Sequence, residues 1–323
     1  MQSFPITRCA IAAITMALVP ALACAQNDKP LEWVIGYPAG GGSDVVARTV
    51  AEQMQASLKR TIVVNNKPGA ATNIAADYVA KSKDFGNIML TADFATLAAN
   101  PSLFAKLPYS PEKDFAPVGL LARFPMLLVV ATNVPAKNYK EFLAWAKSQP
   151  EGVNYASAGA GSPHHLAGEL FRERTGLKLT HVPYRGAAPA VQDLMGGQVP
   201  FGLMDSASVQ QHLASGKLRA LGVASAKRLA TFTDLPTLAE QGLTGFEAYA
   251  WQGLVVPAGT PAPVVAALAN ALQVALASTP VKARFQTLSL ESLPGTPEQM
   301  AAYAKSERER WGKLIRDNGI KLD

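Results

Sequence analysis

Two short segments hold the residues best suited to chemistry. The first is Tyr37-Pro-Ala-Gly-Gly-Gly-Ser-Asp44, three consecutive glycines followed by a serine and an aspartate. Glycine lets the main chain approach a ligand closely. A helix opening at Ser43 would present unpaired N–H groups and a favourable dipole, which together make an anion site. The second is Tyr155-Ala-Ser-Ala-Gly-Ala-Gly-Ser-Pro-His-His165, where the same physics applies and Ser157 and Ser162 add hydroxyls. Neither segment is a nucleotide fingerprint. In the first, Val45 replaces the third glycine of a dinucleotide motif and no Gly-Lys-Ser/Thr follows. A plain tight strand-to-helix turn is the alternative for each. Two such helix starts, one from each of two domains, would suit a carboxylate better than a cation.

The second segment also supports a rival chemistry. Ser157 lies in a near match to a nucleophile elbow, which needs Gly-x-Ser-x-Gly, but Tyr155 takes the place of the first glycine. A triad would need an aspartate and then a histidine. Asp205 and His212 have that order, seven residues apart on one short helix, a poor geometry for opposing a serine. His164 and His165 are neighbours and lack the i,i+4 spacing of a helical metal site. Tyr184 follows a predicted strand and could reach a cleft. Asp205 falls at the carboxyl end of another, where ligands of open α/β sheets gather; capping the next helix is its other reading.

The elements that must hold these segments alternate along the chain. Apolar runs predict strands at 32–37, 61–65, 87–91, 117–121, 126–131, 153–156, 179–182, 199–204, 219–224 and 253–256. Helical periodicity covers 43–58, 73–80, 139–147, 163–175, 187–195, 207–215, 263–278, 281–288 and 296–317. Ser162-Pro163 reads as an N-cap with a first-turn proline, Gly176 as a stop, and Thr296-Pro-Glu-Gln299 as a capped start. This alternation predicts an α/β protein with mostly parallel sheets. No Pro/Ser linker separates two domains, so the chain should cross between them on extended segments. The candidates are 117–131, two runs broken by Arg123 and Pro125, and 247–256.

Composition excludes several classes. With 323 residues, 49% hydrophobic and 17% charged, the chain is long enough for two cores and is not a disordered protein. Its two cysteines, Cys9 and Cys24, lie at the N-terminus, so the remainder can hold no disulfide framework, thiolate–zinc site or iron–sulfur cluster. The net charge is +6, of which Arg8 supplies one; the basic residues are scattered and not interleaved with aromatics, which argues against nucleic acid. Residues 1–25 read as a secretory signal: Arg8, an apolar run to about Leu22, then Ala23-x-Ala25 as the cleavage site. Lipidation at Cys24 is the lesser alternative.

At these motifs the sequence closely resembles the Bug-type solute-binding receptors of the tripartite tricarboxylate transporter family, over essentially all of 30–323. The resemblance rests on Tyr37-Pro-Ala-Gly-Gly-Gly-Ser-Asp-Val-Val-Ala-Arg48, Val64-Asn-Asn-Lys-Pro-Gly-Ala70, Asn100-Pro-Ser-Leu, Tyr155-Ala-Ser-Ala-Gly, His165-Leu-Ala-Gly-Glu-Leu-Phe171, His181-Val-Pro-Tyr-Arg-Gly186 and Pro257-Ala-Gly-Thr-Pro261. It implies a two-domain periplasmic binding protein, type II-like, a Venus flytrap with two crossover segments. The signal peptide would be 1–25, one domain 26–125 with 250–323, and the other 126–249. The receptor would be an exported, non-enzymatic monomer without cofactor or metal, closing over a small organic acid and handing it to a membrane permease. Carried onto this sequence, the ligand contacts are Tyr37, Ala39, Gly40, Gly41, Ser43 and Asp44, then Ser157, Ala158, Gly159, Gly161 and Ser162, with Tyr184 and Asp205 at inner positions. Asp93 joins them in Ala92-Asp93-Phe94, where the family usually has Thr/Ser-Gly; Asp205-Ser206 replaces the usual Asp-Asn. Tyr37, Phe94 and Trp251 are candidate cleft aromatics that would separate aliphatic from aromatic acids.

Overall fold

The computed structural model describes residues 29–322. The proposed signal segment lies outside them. Along the chain run β1 (Leu31–Ile35), α1 (Gly42–Leu58), β2 (Ile62–Asn66), α2 (Asn73–Ala80), β3 (Ile88–Asp93), α3 (Asn100–Leu103), β4 (Phe115–Ala131), α4 (Tyr139–Lys147), β5 (Val153–Ser157) and α5 (Pro163–Thr175). There follow β6 (Leu179–Pro183), α6 (Ala187–Met195), β7 (Phe201–Asp205), α7 (Ser206–Ala214), β8 (Leu218–Val223), β9 (Tyr249–Pro257), α8 (Ala262–Ala277), α9 (Thr279–Thr287), β10 (Glu291–Ser292) and α10 (Pro297–Asp317).

Strand order is β2-β1-β3-β9-β4-β7-β5-β6, with β8 and β10 also on β4. β1, β2 and β3 are mutually parallel, as are β5, β6 and β7. β9 is antiparallel to both β3 and β4. The long β4 pairs with β9 and β10 in its first part and with β7 and β8 in its second. It is the strand common to both halves of the sheet.

This corrects the expectation of two runs broken at Arg123 and Pro125. Both residues lie inside one strand. Proline is tolerated where a ladder changes partner, and Pro125 is the last β4 residue opposite β9 before Met126 takes up Asp205 of β7. Pro117 likewise falls at a register shift. The stretch 95–103 holds a wide helical turn and the short α3, neither expected from periodicity.

Apolar residues cover the sheet on both faces. One cluster under α1, α8 and α9 includes Trp33, Ile35, Phe124 and Leu272. Another, under α6 and α7, includes Leu127 and Met204. The largest runs unbroken beneath both halves, from Val34 and Phe94 to Phe142 and Phe201. Phe94 and Trp251 are buried in it. Phe94 packs edge-on to Trp311 at 5.4 Å, and Trp251 Nε1 donates to Glu307 at 3.1 Å. These two are core aromatics and not cleft-lining ones. Among the described residues no single helix is long and apolar enough to cross a membrane.

Candidate functional site

The register places the ends of the parallel strands. Asp93, the last residue of β3, pairs with Gln252, which pairs with Ala122 of β4. Asp205, the last residue of β7, pairs with Met126. β3 runs in the same direction as β4 and β7 runs against it. The carboxyl ends of β1 and β3 and those of β5 and β7 are therefore directed at one short stretch of β4 from opposite ends. Met126 lies four positions beyond Ala122, about 13 Å along an extended strand. Ligands of α/β sheets gather at such carboxyl ends.

The loop after β1 is held by its own side chains. Asp44 is buried, and its carboxylate accepts from Gly40 N at 2.9 Å, Arg48 Nε at 2.9 Å and Asn66 Nδ2 at 3.0 Å. Burial alone would raise its pKa; the Arg48, Gly40 and Asn66 hydrogen bonds outweigh this and lower it. Asn66 Nδ2 also donates to Tyr37 O at 2.9 Å. The Tyr37 phenol donates to Asp93 Oδ2, and burial first, then the Asp93 charge, pushes its pKa up. Asp93 Oδ1 accepts from Thr96 N at 3.0 Å. Both carboxylates are thus occupied in shaping the loop. What they leave open is main chain. α1 starts at Gly41 without a side-chain cap. The amides of Gly42, Ser43 and Asp44 have no acceptor among the described residues. Ala39, Gly40 and Gly41 are exposed beside them. Gly40 holds φ +82°, a left-handed conformation that favours glycine.

The second loop uses more of its donors internally. Gly159 N donates to Ser157 Oγ at 3.1 Å, Ser162 N to Gly159 O at 3.2 Å, and Gly161 N to His165 Nδ1 at 3.0 Å. Ser162 caps α5, accepting from His165 N at 3.3 Å, and Pro163 has no N–H. Among the described residues only the His164 amide of the first turn of α5 is left without an acceptor, with those of Ala158 and Ala160 in the loop. The two helix starts thus differ, with α1 open and α5 largely self-capped. A side chain at Gly161 would come within 2.7 Å of Leu103 and 2.9 Å of Leu322, so this loop lies directly against α3 and the chain's C-terminal segment.

Three histidines back the second loop. Ser157 Oγ meets His181 Nε2 at 2.5 Å, and His181 stacks on His165 at 3.8 Å between nearly parallel rings. Burial, then the nearness of His165, lowers the His181 pKa to about 4; burial also lowers that of His165. His164 Nε2 meets Asp205 Oδ2 at 2.9 Å, while Asp205 Oδ1 caps α7 through Ser208 N at 2.9 Å. Burial opposes ionisation of Asp205; bonds to His164 and Ser208 outweigh it and lower the pKa. Tyr184 N donates to Ser157 O at 3.1 Å, and its phenol donates to Asp193 of α6 at 2.7 Å.

The structure therefore gathers Tyr37, Ala39, Gly40, Gly41, Ser43, Asp44 and Asp93 into one group. Ser157, Ala158, Gly159, Gly161, Ser162 and Tyr184 form a second, joined by Asp205 through His164. No hydrogen bond among the described residues links the two groups. The serine-nucleophile geometry is not assembled: Ser157 is 0% exposed, its histidine is His181, and Asp205 partners His164 in place of His212. Sequence reasoning missed Gln252, whose Nε2 donates to Ser43 Oγ, and the support from Arg48 and Asn66. The i,i+4 spacing of Asp44 and Arg48 was a readable signal; the strand-borne Gln252 had none.

Two α/β halves sharing β4, with glycine loops at the strand ends, define a two-lobed solute-binding protein. Residues 46–320 match the tripartite tricarboxylate transporter family receptor, TctC. Protein BugT of Bordetella pertussis (strain Tohama I) is 34% identical, over 91% of this chain and 90% of its own. The structure of R. palustris Rpa4515 with adipate is 32% identical, with TM-score 0.84, covering 91% of this chain and 98% of that one. MatC (Rpa3494) from Rhodopseudomonas palustris with bound malate is 33% identical, with TM-score 0.79, covering 88% and 98%. The chain belongs to the TctC family of solute receptors, whose members are periplasmic binding proteins.

Proposed function

We propose that this protein captures a small carboxylate between lobes made of 26–125 with 250–323 and of 126–249, and delivers it to the permease of a tripartite tricarboxylate transporter. It works in the periplasm after removal of residues 1–25, and it performs no catalysis. The supporting observation is the unpaired amide row of Gly42, Ser43 and Asp44 at the open start of α1. Amides and a helix dipole stabilise a carboxylate without a buried cation. The second loop, through the Ala158, Ala160 and His164 amides and the Ser162 hydroxyl, meets the other end of the ligand. Contact with both lobes favours the closed arrangement by the ligand's differential affinity. Adipate in Rpa4515 and malate in MatC make aliphatic dicarboxylates the first class to try.

The test is thermal unfolding of the purified chain against mono-, di- and tricarboxylates, aromatic acids and acidic amino acids. A ligand at a hundred times its Kd stabilises by about 2.7 kcal/mol. A clear rise in Tm with at least one acid is expected; a panel with no shift would count against the proposal.

A further inference from the structure

A cavity of about 500 Å3 lies away from the two glycine loops. One wall is the segment 226–231, which follows β8; the other is α9 with 289–292. Thr231 Oγ1 and Ser289 Oγ join the two walls at 2.7 Å. The back is Arg123 of β4, whose guanidinium lies 4.2 Å over the Tyr249 ring and pairs with Glu291. Directly paired residues share a face of a sheet and neighbours along a strand take opposite faces. Arg123 pairs with Trp251, whereas Gln252, which reaches Ser43, pairs with Ala122. The cavity and the α1 turn share no lining residue, although α9, one wall of the cavity, packs over the same apolar cluster as α1.

Its lining is two-natured. Leu229, Phe285 and Leu290 are buried and give an apolar floor. At the rim stand Lys227 and Lys282, both exposed, and neither ammonium has an ion pair among the described residues. Arg123 is matched by Glu291 and Arg228 by Glu240, so the two lysines are the unbalanced charge. A volume of this size is in the range of small-molecule sites, which combine apolar walls with a few convergent polar groups.

We propose that this cavity is a second ligand site, for a small amphipathic anion with an aliphatic or aromatic body and one acidic head. The body lies on Leu229, Phe285 and Leu290, and the head lies between Lys227 and Lys282. The site is independent of the carboxylate site proposed above.

The probe is 8-anilinonaphthalene-1-sulfonate, titrated into the folded full chain with fluorescence detection, and octanoate as competitor. Enhanced dye fluorescence, reversed by octanoate, is expected. The Lys227→Glu/Lys282→Glu variant should weaken dye binding at least tenfold. Ala230→Trp, which fills the cavity from an exposed position, should abolish it. Thermal shifts with adipate and malate, read in the same variants, should match those of the parent, which separates this site from the cleft. No enhancement, or an enhancement that the charge-reversed variant leaves unchanged, overturns the proposal; should Ala230→Trp fail to fold, the charge-reversed variant alone decides.

Discussion

Gln252 of β9 donates its side-chain amide to Ser43 Oγ in the first turn of α1. The strand β9 is thereby fastened to the helix start with the open amides. Gln252 is 5% exposed, and its Oε1 has no partner among the described residues. A lone buried acceptor of this kind is costly unless something donates to it.

The Ser43–Gln252 pair should behave as a unit. Ser43→Ala and Gln252→Leu, alone and combined, should be non-additive in urea unfolding by about 0.5–3 kcal/mol, the range for residues in direct contact. Additive single effects would show the bond to be energetically idle.

Asp44 shapes the loop. Asp44→Ala removes the acceptor for Gly40 N, Arg48 and Asn66. It should destabilise the protein by about 1–3 kcal/mol and weaken carboxylate binding by disordering residues 37–43. Its folded pKa lies below the ordinary 3.8. Its contribution is therefore complete above that value and disappears as pH falls through the lower, folded one. Chemical denaturation across pH 2–5 should show a shallower acid loss in Asp44→Ala than in the parent.

The stacked histidines give a second pH window with a different origin. His181 is held neutral by burial, then by its neighbour His165, with a folded pKa of about 4 against an ordinary 6.5. Glu169 acts the other way on both, and Arg172 adds to the lowering at His165. Between those values the unfolded chain binds the extra proton, so stability rises with pH. The stacking contribution is complete above about pH 6.5 and is lost on acidification toward 4. His181→Gln should flatten this slope in urea titrations at pH 4–7. An unchanged slope would assign the window to another group.

Much of this architecture is legible in the residues. Strand–helix alternation and the caps at Ser162 and Thr296 place most elements to within a few residues. Both glycine loops stand where strand ends should be. The rest depends on tertiary partners. Pro125 reads as a breaker, yet it sits where one ladder hands over to another. Tyr155 looks too large for a tight turn, but its ring lies against Gly168, where an added Cβ would fall 2.2 Å from it. Asp44, Asp93 and Asp205 are named as ligand contacts by the family resemblance, and Asp205 also by its place at the carboxyl end of a strand. Each carboxylate is in fact taken up by neighbouring donors. Phe94 and Trp251 show the same limit: an aromatic near a loop carries no sign of which way its ring will turn.

In the proposed function, main-chain N–H groups at the start of α1 grip the ligand's carboxylate, and one substitution pair isolates their contribution. Gly42 is the first helical residue and follows an extended Gly41, at φ −76° and ψ 169°, a geometry that accepts proline next. Gly42→Pro deletes the donor; Gly42→Ala adds a comparable side chain and keeps it. Calorimetry with the acid that gives the largest thermal shift should find Gly42→Ala near the parent and Gly42→Pro weaker by roughly 10- to 100-fold, the value of one hydrogen bond to a charged group. Equal affinities for the two variants, both folded, would contradict the claim.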